Sequence, residues 1–132
     1  MLKELRVTTN KETEFVDITR EVARVVNESG IEEGLCQIFI PHTTAGVTIN
    51  ENADPDVQRD MLYELNKVIP FNDGYHHMEG NSAAHIKSSM MGFNQTVIIH
   101  HNKLLLGTWQ GIYFCEFDGP RNRKVYIKIL EG

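Results

Sequence analysis

The sequence has only two cysteines among its 132 residues. Cys36 and Cys115 lie far apart, in the apolar stretches Leu35–Ile40 and Ile112–Phe117, where a thiol behaves as a small hydrophobe. That usage excludes a disulfide scaffold and fits a reducing compartment. Positive charge is in the minority: 13 Lys and Arg against 18 Asp and Glu leave a formal net charge of -5. Nucleic-acid and anionic-membrane surfaces need a basic footprint, so neither partner is expected. No apolar run approaches about 18 residues, so nothing reads as a membrane span. The N-terminal stretch MLKELRVTTN lacks the apolar centre of a secretion signal, and a cytoplasmic protein is expected. There is no linker, repeat or low-complexity segment, so residues 1–132 read as one compact domain. Phosphate-loop, dinucleotide, nucleophile-elbow and HExxH motifs are all missing, and no nucleophilic serine can be assigned.

What is present is a mixture of helix and strand patterns. Leu2 to Thr9 alternates as a strand does. Asp17 can cap a helix carrying Ile18, Val22, Val25 and Val26 on one face, with Gly30 placed to end it. Leu35–Ile40 reads as a strand closed by Pro41, and Ala45–Asn50 as another. Asp54-Pro55 starts a second helix, whose apolar positions are Val57, Met61, Leu62, Leu65, Val68 and Ile69, and Pro70 stops it. A polar loop, Phe71 to Asn81, precedes a short helix from Ser82 to Met91 ended by Gly92. Four strand-like runs follow: Asn94–His100, Leu104–Gln110, Ile112–Phe117 and Lys124–Leu130. Without strict βαβ alternation the expected class is α+β, with about three helices and a mostly antiparallel sheet. Asn94 to Leu130 is its natural meander.

Chemistry concentrates between Tyr75 and Gly92, where 18 residues hold His76, His77, His85, Glu79 and Lys87. Neutral imidazole is the commonest metal ligand and a proton shuttle near neutral pH. His42, His77 and His85 could supply three nitrogens to an open catalytic metal site, although the spacing from His77 to His85 matches no named zinc motif. Each could equally be a surface or hydrogen-bonded histidine. Glu79 is a ligand, an orienter of an imidazole, a general base or a solvated loop acid. His76, His100 and His101 read as solvated. His85, Ser88 and Ser89 share one side of the third helix, and its N-terminus suits an anion. Lys87 lies elsewhere on that helix and reads as a phosphate contact or a solvated charge. Asn50 and Glu51 sit at a strand-to-helix junction, as capping groups or as part of a polar cradle. Trp109 is core or the wall of a pocket, and Gln110 beside it needs a partner if buried. Arg121 and Arg123 follow the Asp118-Gly119-Pro120 turn. They can grip phosphate through guanidinium forks or end a solvated hairpin.

Taken together, His42-Thr43-Thr44-Ala45, Asn50-Glu51-Asn52-Ala53-Asp54-Pro55, Tyr75-x-His77-x-Glu79-Gly80, Ala84-His85-Ile86-Lys87-Ser88-Ser89 and Leu106-Gly107-Thr108-Trp109-Gln110-Gly111-Ile112 resemble the YjbQ family, the secondary thiamine-phosphate synthases. His42, His77, Glu79, His85, Lys87, Trp109 and Gln110 fall on its motif, whereas His76, His100 and His101 fall where it fixes nothing. The resemblance implies a small α+β domain that assembles as a homotrimer, with sites near subunit boundaries. It implies a histidine pocket with a divalent metal, zinc or magnesium, and no organic cofactor. It also implies a weak, promiscuous synthesis of thiamine phosphate from an aminopyrimidine diphosphate and a thiazole phosphate. The leading expectation is thus a transferase acting on a phosphorylated or diphosphorylated small molecule. In it His42, His77, Glu79 and His85 serve catalysis or metal. Asn50, Glu51, Lys87, Ser88, Trp109, Gln110, Arg121 and Arg123 bind substrate. The alternatives are a metal-dependent hydrolase with Glu79 as base and a non-catalytic trimeric module that binds a metal or a phosphometabolite.

Overall fold

The computed structural model describes all residues, 1–132. It has eight strands and three helices in chain order: β1 (Leu2–Thr8), β2 (Glu14–Asp17), α1 (Thr19–Ser29), β3 (Glu33–Phe39), β4 (Ala45–Glu51), α2 (Pro55–Val68), α3 (Ser82–Met91), β5 (Asn94–His100), β6 (Lys103–Leu104), β7 (Gln110–Glu116) and β8 (Asn122–Glu131). The α+β class holds, and the paired strands run antiparallel. No helix is long and apolar enough to cross a membrane.

The strands form two sheets rather than one, ordered β1-β8-β3-β5-β6 and β2-β7-β4. The C-terminal strands therefore do not make a meander. Only β5 and β6 pair as neighbours, while β7 leaves for the second sheet and β8 inserts between β1 and β3. The cause lies in burial. β7 is buried continuously from Gly111 to Glu116, a run with no solvent face, so it must be covered on both sides. β8 alternates instead and takes a place with one face wet. The run expected as a strand over Leu104–Gln110 splits into the two-residue β6 and an irregular stretch before β7. β2 has only four residues, too few for alternation to show, and it arises from pairing with β7.

One core cluster of 17 buried residues joins the two sheets to α1. Cys36, Ile38, Val97, Ile99, Val125, Ile127 and Ile129 come from the larger sheet, Ala45, Val47, Ile112 and Phe114 from the smaller, and Val22, Val25 and Val26 from the helix. Asp17 serves the start of α1 by accepting from the Thr19 N–H at 2.9 Å, although Ile18 is the cap position. Gly30 ends the helix at φ 72°. Asp54 caps α2 through the Asp56 N–H at 2.9 Å, with Pro55 in the first turn. Both cysteines are buried and unpaired. Burial pushes the Cys36 thiol up to about 11 and raises Cys115 as well, so both are inert. The apolar face of α2 is not sealed. No residue within the helix is buried, and only Leu62 and Leu65 pack on Ala84, Cys115 and Phe117.

A polar knot holds the ends of the two sheets together. Arg123 on β8 and Glu116 on β7 are 3% and 0% exposed, and they form an ion pair through Nη2 and Oε2. Arg123 Nε also donates to Glu116 Oε1 at 2.8 Å, and Nη2 donates to Thr44 Oγ1 at 2.9 Å. Thr9 Oγ1 donates to Glu116 Oε1 at 2.8 Å and accepts from the Arg121 N–H at 2.9 Å. Burial alone would raise the Glu116 carboxyl, but hydrogen bonds from Arg123, the Asp118 N–H and Thr9 hold it below the usual range. The assignment of Arg123 to substrate is corrected here: its guanidinium is enclosed by protein partners. Removing one member of a buried pair strands the other charge, at a cost of about 3–5 kcal/mol. Arg123→Ala should therefore lower the unfolding free energy by about that much in urea denaturation, and the paired change Arg123→Met with Glu116→Leu should cost less than either single change.

Candidate functional site

The site begins with the close docking of α3 on β4. Gly46 has no room for a side chain: a Cβ there would lie 2.7 Å from the Gly92 carbonyl oxygen and 3.2 Å from the Met91 Cβ. Ala83 and Ala84 in the first turn of α3 are both fully buried, and Ala84 packs with Cys115 and Phe117. That contact fixes where His85 projects. The loop before the helix is tied down by Tyr75, whose hydroxyl donates to the Pro70 carbonyl at 2.9 Å. Gly80, at φ 77°, closes a turn by donating to the His77 carbonyl at 3.1 Å.

These elements form a polar cleft of about 310 Å³ lined by Thr43, Thr44, His77, Glu79, Asn81, His85, Asp118 and Arg121. The rings of His77 and His85 meet edge to face with centroids 5.6 Å apart, and Glu79 Oε2 lies 4.0 Å from His77 Nε2. Arg121 donates through Nε and Nη2 to the Asp118 carbonyl and carboxylate at 2.9 and 3.1 Å, which leaves Nη1 without a partner in the chain. Asp118 also accepts from Asn81 Nδ2 at 2.9 Å. Asn81 Oδ1 is buried with no hydrogen-bond partner, a state that costs about 1–3 kcal/mol unless a ligand or water satisfies it. Asn81 occupies the cap position of α3 but makes no side-chain cap, so the first N–H groups of that ten-residue helix have no side-chain partner.

Four of the expected residues thus meet: His77, Glu79, His85 and Arg121. His42 does not join them. Its Nε2 accepts the Lys124 N–H at 2.9 Å, which places the ring proton on Nδ1. It lines a separate apolar hollow with Phe39, Ile40, Pro41, Thr43 and Phe93. Burial and the nearby Arg123 guanidinium depress the His42 imidazole, so it is a neutral acceptor that bridges to β8. The expected metal triad is therefore not assembled within one chain. His77, His85 and Glu79 are a donor set that zinc accepts, but their ligand atoms do not all converge within 4.8 Å of one another. Within one chain the fit to a metal is incomplete.

Other expectations are corrected by placement. Lys87 is fully buried, with Nζ donating to Asn66 Oδ1 at 2.5 Å and lying 4.3 Å from the centre of the Phe71 ring. Burial lowers its pKa, against a raising influence from Glu12. It clamps α2 and the start of the loop rather than a phosphate. Ser88 Oγ donates to the Ala84 carbonyl at 2.8 Å, inside its own helix. Trp109 is 63% exposed and walls no cleft. Gln110 accepts from the Gly107 N–H at 2.8 Å. Asn50 accepts from the Glu51 N–H at 2.7 Å. Asn50 and Glu51 pair with Gly111 and Gln110, at the far end of the strands from the Ala45–Glu116 pair. Six residues of strand separate those ends, about 20 Å. Thr43, Thr44, Asn81 and Asp118 line the cleft without having been singled out. The signal for Asp118 was its turn, Asp-Gly-Pro ahead of three cations, whereas Asn81 carried none.

The comparison with known proteins agrees with this architecture. The family description "UPF0047 protein YjbQ-like" matches residues 3–132. The chain belongs to that family. It is 57% identical to UPF0047 protein YugU of Bacillus subtilis, over 98% of this chain and 99% of that protein. A UPF0047 protein from Methanocaldococcus jannaschii is 54% identical, over 98% of this chain and 94% of that protein. The crystal structure of a YjbQ/UPF0047 family protein from Clostridium acetobutylicum superposes with a TM-score of 0.96 at 58% identity, covering 97% and 99% of the two chains. A YbjQ-like protein of Sulfolobus solfataricus has the same TM-score at 32% identity, covering 100% and 97%. No activity comes with these likenesses.

The depressed His42 pKa has a definite consequence. The unfolded chain takes up a proton there more readily than the folded one, so the stability that neutral His42 contributes is present above about pH 6.5 and is lost as pH falls through the folded value. NMR titration of His42 should give a midpoint below about 6.5. The stability gap between the parent and His42→Gln should narrow as pH falls from 7.5 towards 5.

Proposed function

We propose that this family member is a small-molecule transferase that binds a phosphorylated or diphosphorylated substrate in the cleft of His77, His85 and Arg121. The supporting observation is convergence. Two imidazoles, a guanidinium with an unpaired Nη1 and an uncapped helix N-terminus meet around one polar cleft of about 310 Å³. Sites of that size suit small ligands, and these donors suit phosphate oxygens.

A diphosphate ester would seat its terminal phosphates between Arg121 and the start of α3. The carbon–oxygen bond to the diphosphate would break with its electron pair on the leaving oxygen. Arg121 and the helix N–H groups would stabilise that charge, and an imidazole of the His77–His85 pair would donate a proton to it. Glu79 would orient His77. A ring nitrogen of the second substrate would then attack the carbon. Charge stabilisation and positioning drive such a step, with no protein nucleophile. Formation of thiamine phosphate from an aminopyrimidine diphosphate and a thiazole phosphate, the activity that the family resemblance implies, is one reaction of this class.

The reading includes a homotrimer. Leu130, Leu35 and Ile98 form a cross-strand row on the open face of the larger sheet and are 48%, 41% and 53% exposed. The Trp109–Gln110 and His77–His85 ends, about 20 Å apart within one chain, could meet only across a boundary between copies. Sedimentation should give a trimer at micromolar concentration, dissociated by Leu35→Glu, and a monomeric parent would remove this part of the reading.

Inorganic pyrophosphate should raise the melting temperature of the parent. Arg121→Ala and His85→Ala should each weaken that binding roughly 10- to 100-fold, since a charge-assisted hydrogen bond is worth about 1.5–3 kcal/mol. The same variants should lose pyrophosphate release from an aminopyrimidine diphosphate mixed with a thiazole phosphate. An unmoved melting temperature with pyrophosphate would overturn the anion site.

A further inference from the structure

A second group of ligand atoms lies at the other end of the larger sheet. Glu33 opens β3, and its cross-strand partner is His100 at the end of β5. His100 Nδ1 sits 2.7 Å from Glu33 Oε1 and 3.0 Å from Oε2. His101 follows in the hairpin turn, its ring centroid 3.9 Å from that of His100, and its N–H donates to Glu33 Oε2 at 3.0 Å. One ligand atom from each of the three side chains lies within 4.8 Å of the other two, and no other three His, Cys, Asp or Glu residues of the chain meet that condition.

The turn that presents these groups is held rigidly. His101 and Asn102 both take left-handed backbone conformations, at φ 53° and 60°, as a two-residue hairpin turn requires. Asn102 is locked there by its side chain, which donates to the Val26 and Ile31 carbonyls at 3.0 and 2.8 Å and accepts from Asn27 Nδ2 at 3.1 Å. Its N–H also donates to the Glu32 carbonyl at 3.0 Å. The end of α1 therefore fixes the turn that carries the two imidazoles.

We propose that Glu33, His100 and His101 form a surface site for a divalent transition metal of the zinc class. Two imidazoles with one carboxylate select such ions over magnesium and calcium, which prefer all-oxygen shells. Ligands at about 2.0–2.2 Å from a tetrahedral ion stand roughly 3.3 Å apart. The Glu33–His100 contact, at 2.7 Å, must therefore open slightly to admit the ion. Water completes the coordination. Lys103, the cross-strand partner of His100, is the local charge that opposes a cation, and it is exposed. The site is separate from the cleft and does not depend on the transferase reading.

Calorimetric titration with zinc chloride at pH 7.5 tests the assignment. The parent should bind zinc at this site, and His85→Ala, which alters only the cleft, should retain it. His101→Asn keeps a residue that tolerates the left-handed turn and should weaken binding at least tenfold, as should Glu33→Gln. His100→Ala combined with His101→Asn should abolish it. No zinc binding by the parent, or zinc binding of unchanged affinity and stoichiometry when His100→Ala and His101→Asn are combined with His85→Ala in a chain with native circular dichroism, would overturn the site.

Discussion

Glu116 and Arg123 face each other as a buried ion pair that joins the two sheets. Glu116 ends a strand of the smaller sheet, and Arg123 is the second residue of a strand of the larger. Thr9, which donates to Glu116, and Thr44, which accepts from Arg123, lie just after β1 and just before β4. A charge at either position alone would be too costly to bury. With both carboxylate oxygens and the Nε and Nη2 donors hydrogen-bonded, the pair closes the end of the core. It also shapes the cleft, because the Asp118 N–H rests on Glu116 and the Arg121 N–H rests on Thr9. The wall that presents Asp118 and Arg121 is thus an extension of a buried ion pair.

That arrangement sorts the polar residues of the chain into two populations. Arg123, Lys87, Ser88 and His42 each have a partner inside the fold, and each holds elements together. The burial that lowers the Lys87 and His42 pKa values also takes those groups away from a ligand. His77, His85, Glu79 and Arg121 keep unsatisfied or exposed functional atoms around one concavity. Asn81 stands between the two, with one amide atom tied to Asp118 and the other buried without a partner. In this family member the loop and first turn of α3 present chemistry, and the sheet ends beneath them provide rigidity.

The helix starts and stops were legible because they rest on local rules. Asp54 with Pro55, Gly30 and the run to Gly92 all behave as their side chains and φ angles dictate. The candidate site was legible in part. A dense cluster of imidazoles and a carboxylate between Tyr75 and Gly92 marked His77, Glu79 and His85, because such groups are poor core material. Arg121 and Arg123 looked alike, two residues apart. On a strand, alternate residues share a face, but Arg121 lies in the turn before β8 and Arg123 lies within it, so one guanidinium reaches the cleft and the other enters the core.

By itself the sequence determined the α+β class, the three helices, the separation of apolar from polar segments and the family to which the chain belongs. Each follows from neighbouring residues or from order along the chain. Tertiary structure alone decided that β7 and β8 part into different sheets, that His42 becomes an acceptor for Lys124, and that His100 and His101 meet Glu33. Those outcomes depend on contacts between residues far apart in the chain, 82 positions in the case of His42 and Lys124. Such contacts form only when burial on both faces of a strand and the pairing of most enclosed polar atoms are met together across the whole chain.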